Sequence, residues 1–156
     1  MKQVTICFFI QGDQVLLAMK KRGFGQGKWN GYGGKIEGGE SIEQAAVREV
    51  QEESGIAIPI SALRKTAEFT FSFESNPAWD EQAYVFFIDQ WSGQARETEE
   101  MAPRWFSIND LPYDEMWIAD REWLPMILSG KTVRGAVRFS SDGSQIVSAS
   151  YHDVVW

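Results

Sequence analysis

A chain of 156 residues fits one domain, residues 1–156, with enough interior for a core that needs no disulfide or metal staple. Fifteen Lys and Arg against 22 Asp and Glu leave a net charge of −7, which sets the surface against a nucleic-acid polymer, since binding one rests on neutralising phosphates. Hydrophobic residues at 44% and charged residues at 24% are globular values that exclude a disordered chain.

In chain order the first elements are strands. Residues 3 to 10, QVTICFFI, and 14 to 20, QVLLAMK, are rich in β-branched and aromatic residues and are joined by Gln11-Gly12-Asp13, the composition of a hairpin turn. The initial apolar run breaks at that turn and has no small-residue cleavage site, so it reads as a strand and not as a leader. Cys7 is the single cysteine, which rules out an internal disulfide and fits a reducing compartment; the cytoplasm is the expected location. Residues 21 to 39 hold eight of the fourteen glycines and form a loop, and a glycine-dense loop of that length inside a compact domain is more often functional than idle.

A helix follows. Ser41 and Gln44 have the spacing of a capping box, Ile42, Ala45, Ala46 and Val50 form an apolar stripe, and Gly55 is placed to stop the helix. Glu68 to Phe73 alternates with period two, Ala83 to Ile88 and Pro103 to Ile108 are further strands, and Glu74 to Glu81 is a connecting loop. A second helix is expected from Asp120 to Ser129, ended by Gly130. Lys131 to Phe139 and Gln145 to Trp156 read as a hairpin turned by Ser141-Asp142-Gly143. Strands outnumber helices and short turns join several, so the expected fold class is α+β, a mixed curved sheet packed between helices. No apolar segment reaches the ~18 to 20 residues needed to cross a bilayer.

The first helix carries an arrangement that calls for an explanation. Glu49, Glu52 and Glu53 stand at i, i+3 and i+4 and project from one face, where each like-charged pair costs a few tenths of a kcal/mol. A solvated acidic face is one reading. A hard-cation site is the other, because clustered carboxylate oxygens suit Mg²⁺, which keeps several waters and shares phosphates with its ligand. His152 has no Cys or His cluster around it, which argues against a zinc site and against a Ser-His-Asp or Cys-His mechanism.

The stretch GKIEGGESIEQAAVREVQEESGI decides between the two readings. Gly34, five residues, Glu40, seven residues, Arg48-Glu49, an aliphatic, one residue, Glu52-Glu53, one residue, Gly55 and an aliphatic match the Nudix box at nine specified positions over 23 residues. The chain therefore resembles the Nudix hydrolases, which cleave nucleoside diphosphates linked to another group. That resemblance implies the Nudix fold, with the sheet as the middle layer of an α/β/α sandwich. It implies that Glu49, Glu52 and Glu53 are metal ligands together with the Gly33 carbonyl, and that Mg²⁺, with Mn²⁺ as a substitute, is the cofactor. Glu53 as the base that activates water and Glu53 as a pure ligand both fit. Arg48 is either a group steering a glutamate or an ordinary i,i+4 partner of Glu52. A structural role is expected for Glu40.

Three further stretches, MKKRGFGQGKWNGYGGK at 19 to 35, EEMAPRWF at 99 to 106 and DEMWIADREWLP at 114 to 125, are similar to the animal MutT-homologue branch of that family, which acts on oxidised purine nucleoside triphosphates of the 8-oxo-dGTP type. By that resemblance Thr5, Lys20 and Asn30 line the nucleotide pocket, and Tyr32, Gly33, Gly34 and Lys35 face the substrate. Phe24, Phe71 and Trp117 wall the base, Asp120 reads its edge, and Glu100 is an additional metal ligand. Water attacks the β phosphorus in line, giving a nucleoside monophosphate and pyrophosphate. An ionised Asp120 accepts from guanine N1–H and the 2-amino group, which favours guanine over adenine. Relatives carry two adjacent aspartates here where this chain has Ala119-Asp120, and the lost carboxylate is expected to narrow the range of bases.

The implied partner is a small nucleotide, with no membrane and no nucleic-acid polymer, and a monomer is expected. Two other readings remain. A Nudix enzyme for a diadenosine polyphosphate or ADP-ribose shares the box but not WNGYGGK and MWIAD. A non-catalytic nucleotide-binding module has no need of the intact glutamates.

Overall fold

The computed structural model describes residues 1–156. Its strands are β1 (Lys2–Gln11), β2 (Gln14–Lys20), β3 (Trp29–Asn30), β4 (Leu63–Phe73), β5 (Glu81–Ile88), β6 (Met101–Ser107), β7 (Val133–Phe139) and β8 (Ile146–Asp153). Its helices are α1 (Ile42–Ser54) and α2 (Asp120–Leu128). All eight strands belong to one sheet in the order β3-β2-β1-β5-β4-β7-β8, with β6 on β2. β1 runs parallel to β5 and β4 parallel to β7, while the other pairs are antiparallel. The expected mixed sheet is thus present.

Alternation along β1 sorts side chains to two faces. Val4 and Phe8 join Trp123, Leu124 and Ile127 of α2 in a core of 20 buried residues, whereas Cys7 and Phe9 join Ala46 and Val50 of α1 in a core of 12. The sheet therefore lies between the helices as a sandwich. Burying Trp123 and Leu124 contributes about 1.5–3 kcal/mol or more each, enough to fix α2 against the sheet despite Pro125 within it. The capping box of α1 is complete: the Gln44 N–H donates to Ser41 Oγ at 3.0 Å and the Ser41 N–H to Gln44 Oε1 at 2.8 Å. Gly55, at φ 81, ends the helix in the left-handed conformation.

One irregularity builds the site. β1 and β2 pair only from Phe9↔Leu16 to their shared turn; beyond that point β2 leaves β1 and pairs with β3 at Ala18 and Met19, while β6 lies along its whole length. Residues 32–36 of the glycine loop fill the opening and bond to β1. The Thr5 N–H donates to Gly34 O at 2.9 Å, the Tyr32 N–H to Cys7 O at 2.8 Å and the Ile36 N–H to Gln3 O at 3.0 Å.

Candidate active site

The glycines of this loop are required by close approach. A Cβ at Gly33 would sit 1.8 Å from the Thr5 carbonyl oxygen, and one at Gly34 would sit 2.6 Å from the Glu49 carboxyl carbon. Backbone and carboxylate occupy the space a side chain would need. The Gly33 N–H in turn donates to Glu53 Oε1 at 2.8 Å, which fixes that carboxylate against the loop and brings the Gly33 peptide beside it.

Arg48 organises the remaining acids. Its Nε and Nη2 donate to Glu40 Oε2 and Oε1 at 2.7 and 3.0 Å, its Nη1 to Glu49 at 2.8 Å and Glu52 at 3.3 Å, and its Nη2 also to the Lys35 carbonyl at 3.1 Å. Neither simple reading of this residue suffices, since one guanidinium holds three carboxylates and a loop carbonyl. The hydrogen bond from Arg48 is the main reason the Glu40 carboxyl lies below its usual range.

Glu53, only 4% exposed, has its pKa pushed up to about 8, chiefly by burial and further by Glu49 and Glu100, against the pull of the Gly33 N–H and Lys20. Burial also raises Glu49 in spite of Arg48. Glu52 and Glu100 are exposed, Glu100 meeting Arg22 Nη2 at 3.4 Å. With Arg48 holding Glu49 and Glu52, no three acidic groups converge into a ready cation cage. The donor set nevertheless fits a hard divalent cation: it is all oxygen, and the desolvated Glu53 is raised further by Glu49, as Glu49 is by Glu52, a repulsion that a bound cation removes.

A cavity opens from Glu53 toward α2. Thr5, Lys20, Phe24, Asn30, Gly33, Gly34, Phe71, Trp117 and Asp120 line it. Trp117 is clamped in place. Its ring centroid lies 5.0 Å from Phe24, and a Cβ at Gly143 or Gly25 would come within 2.8 or 3.3 Å of the indole. Lys28 Nζ lies 5.4 Å from the Trp117 ring centroid, the geometry of a cation–π contact. Asp120 is buried, and burial raises its pKa to about 8 against the opposing charge of Lys28. Near neutral pH burial therefore favours the protonated carboxyl, one donor and one acceptor, over the ionised group that was expected. Ala119 is buried in the larger core and does not line the cavity.

Two expected contacts are corrected. Tyr32 bridges Cys7 and so takes the Cys7 face of β1; its ring is fully buried in the α1-side core against Phe9, with the hydroxyl unpartnered. Lys35 is exposed away from the cavity, and only its carbonyl is engaged, by Arg48. The cavity also includes Phe73, Phe139, Trp123, Met101 and Glu81, which the sequence reading omitted. Phe73 could have been found as the same-face neighbour of Phe71. Phe139 could not, since its parallel stack on Phe73 at 4.9 Å depends on the β4–β7 register.

A curved mixed sheet between two helices, with a glycine loop locked to an acidic helix, defines a Nudix-type hydrolase, and the comparisons agree. The NUDIX domain model matches residues 1–127, and the chain belongs to that family. It is similar to the oxidized purine nucleoside triphosphate hydrolases of Danio rerio, 42% identical over 88% of this chain and 86% of that one, and of Mus musculus, 39% identical over 96% and 94%. A MutT protein from Bacillus halodurans shares the fold at a TM-score of 0.82 and 25% identity, over 97% of each chain. No helix is long and apolar enough to cross a membrane.

Proposed function

We propose that this enzyme hydrolyses oxidised purine nucleoside triphosphates of the 8-oxo-dGTP type to the nucleoside monophosphate and pyrophosphate, with Mg²⁺ as cofactor, so clearing them from the nucleotide pool. The observation that carries the reading is the single cavity running from Glu53 to Asp120, with aromatic walls between a phosphate-chemistry end and a base-reading end. The names of the zebrafish and mouse relatives support the same substrate class. We also place the protein in the cytoplasm, a reading supported by its one free, buried cysteine, and take it to act as a monomer.

Glu49, Glu52, Glu53 and Glu100, with the Gly33 carbonyl, are the groups that hold the cation, which when bound neutralises phosphate charge and acidifies water. Glu53 is suited to accept a proton from the attacking water once a cation offsets the burial and the Glu49 charge that raise its pKa. Arg48 restrains Glu49 and Glu52. Phe24, Phe71 and Trp117 give the purine apolar faces, and Asp120 meets its Watson–Crick edge. Thr5, Lys20 and Asn30 line the passage between the two ends, and the exposed Lys35 and core-facing Tyr32 have no direct part.

The test is pyrophosphate release from a panel of modified and ordinary triphosphates, with and without Mg²⁺. Glu53→Gln should lower kcat by about 10²–10⁴-fold with triphosphate binding retained. An unchanged rate in that variant refutes the role given to Glu53.

A further inference from the structure

The C-terminal end of α1 is closed by a distant part of the chain. A helix leaves its last carbonyls without helical partners, and two of those in α1 are met by the segment that leads into β6. The Ser54 carbonyl accepts from the Arg96 N–H at 3.0 Å, and the Glu53 carbonyl accepts from the Thr98 hydroxyl at 3.2 Å. The Arg96 guanidinium lies over Gly55, where an added Cβ would meet its Nε at 2.7 Å, so a cation stands at the negative end of the helix.

Thr98 uses its full hydrogen-bonding capacity here. A hydroxyl has one proton to donate and two lone pairs to accept with. With its proton on the Glu53 carbonyl, this one accepts from the Glu100 N–H at 3.3 Å and the Met101 N–H at 3.2 Å. The Thr98 N–H donates to the Met101 carbonyl at 2.9 Å, and the Lys21 N–H donates to the Glu100 carbonyl at 2.8 Å. One side chain thus ties the backbone of Glu53 to that of Glu100. Met101, the next residue, pairs with Lys20 of β2, and both line the cavity beside Glu53. The Glu100 side chain has no comparable anchor. It is exposed, with the equally exposed Arg22 at 3.4 Å, and such a pair contributes little, so where its carboxylate reaches depends on where its backbone is held.

We propose that Thr98 is a positioning residue of the metal site, holding Glu100 in register with Glu53. That assignment rests on the reading of Glu100 as a cation ligand. The acids given that task come from two elements, α1 and the entry to β6, and ligands on separate elements act together only when other groups fix their spacing beforehand. Glu53 is then fixed twice, its carboxylate by the Gly33 N–H and its backbone by Thr98.

The test measures Mn²⁺ affinity without nucleotide, by calorimetry, for wild type, Thr98→Val, Thr98→Ser, Glu100→Gln and the Thr98→Val/Glu100→Gln double variant. The Mg²⁺ concentration for half-maximal rate on 8-oxo-dGTP is measured alongside. Valine keeps the shape and removes the hydroxyl, so Thr98→Val should weaken Mn²⁺ binding and raise the Mg²⁺ midpoint about tenfold or more, with saturating Mg²⁺ restoring most of kcat. Thr98→Ser keeps the hydroxyl and should stay near wild type. Glu100→Gln should weaken Mn²⁺ as well, and the double variant should bind it no more weakly than Glu100→Gln alone, because Thr98 acts through that carboxylate. The proposal is overturned if the two losses multiply in the double variant, if Thr98→Val binds Mn²⁺ as wild type does, or if Thr98→Ser falls as far as Thr98→Val. Glu100→Gln with unchanged Mn²⁺ affinity would instead remove the ligand reading of Glu100, and this inference with it. Since the Mn²⁺ measurement uses no nucleotide, its outcome is independent of the substrate proposal. Thermal melts check that each variant is folded, and Thr98→Ala repeats the comparison where valine does not fit.

Discussion

Replacing Asp120 with Asn should stabilise the protein at neutral pH while weakening its activity. The carboxyl has a pKa of 3.8 in a solvated chain and about 8 in the folded one, because burial disfavours its charged form. Between those values the unfolded chain has released the proton and the folded chain keeps it, so folding takes up a proton and stability falls as pH rises through the window. At pH 7 the mismatch spans roughly three pKa units, which is about 4 kcal/mol at about 1.4 kcal/mol per unit. Asparagine cannot ionise, but it leaves an amide in the same unpartnered place at a cost of about 1–3 kcal/mol. The net gain is therefore about 1–3 kcal/mol at pH 7 and turns into a deficit of about 1–3 kcal/mol near pH 4, where only the amide cost remains. At about 2–4 °C per kcal/mol for a chain of this size, melting of the two proteins from pH 4 to pH 8 should reveal a gap that opens steadily in favour of Asp120→Asn. Other titrating groups cancel in that difference. In parallel, kcat/KM on 8-oxo-dGTP should drop about 10–100-fold, since the amide N–H₂ confronts donors on the base edge. A melting gap that does not vary with pH would show that Asp120 is ionised in the folded protein and would refute the reasoning.

Three further outcomes follow from the same geometry. The ratio of kcat/KM for 8-oxo-dGTP to that for 2-hydroxy-dATP should rise as pH passes through about 8, because the protonated Asp120 serves a base acceptor and the ionised form serves only donors; a flat ratio removes Asp120 from base reading. Gly34→Ala places a methyl 2.6 Å from the Glu49 carboxyl carbon and should raise the Mg²⁺ concentration for half-maximal rate by about 10–100-fold, with excess metal restoring part of the activity. Arg48→Lys keeps the charge but loses the fork that spans Glu40, Glu49, Glu52 and the Lys35 carbonyl, so activity at limiting Mg²⁺ should fall about tenfold or more. An Arg48→Lys enzyme with unaltered metal dependence would reduce Arg48 to a surface pair.

What could be read from the sequence and what could not divides by the range of the interaction responsible. The acidic helix was legible because its cap, its apolar stripe and its carboxylates are all set by spacings within α1. The mixed sheet with helices against it was legible from alternation and turn composition for the same reason, while the sandwich followed only from the family resemblance. Tyr32 was misplaced because its face is set by a bridge to Cys7, 25 residues away in the chain, made where β2 leaves β1. Glu81 carried no local signal, since a glutamate opening a strand is ordinarily solvated. Only the long-range β1–β5 and β4–β5 registers bring it to the cavity. The charge state of Asp120 was out of reach too, because it depends on burial by α2 and the sheet together.

These long-range placements explain how an acidic protein can accept an acidic ligand. The three helix glutamates do not stand as three free charges in the unliganded chain. Arg48 shares its one positive charge among Glu40, Glu49 and Glu52, while burial raises the pKa of Glu53, as it does that of Asp120 at the far end. The cavity is therefore far less negative before binding than its composition implies, and Lys20 and Lys28 are set beside its two carboxyl ends. A cation held among Glu49, Glu52 and Glu53 would favour their charged forms and offset the repulsion among them.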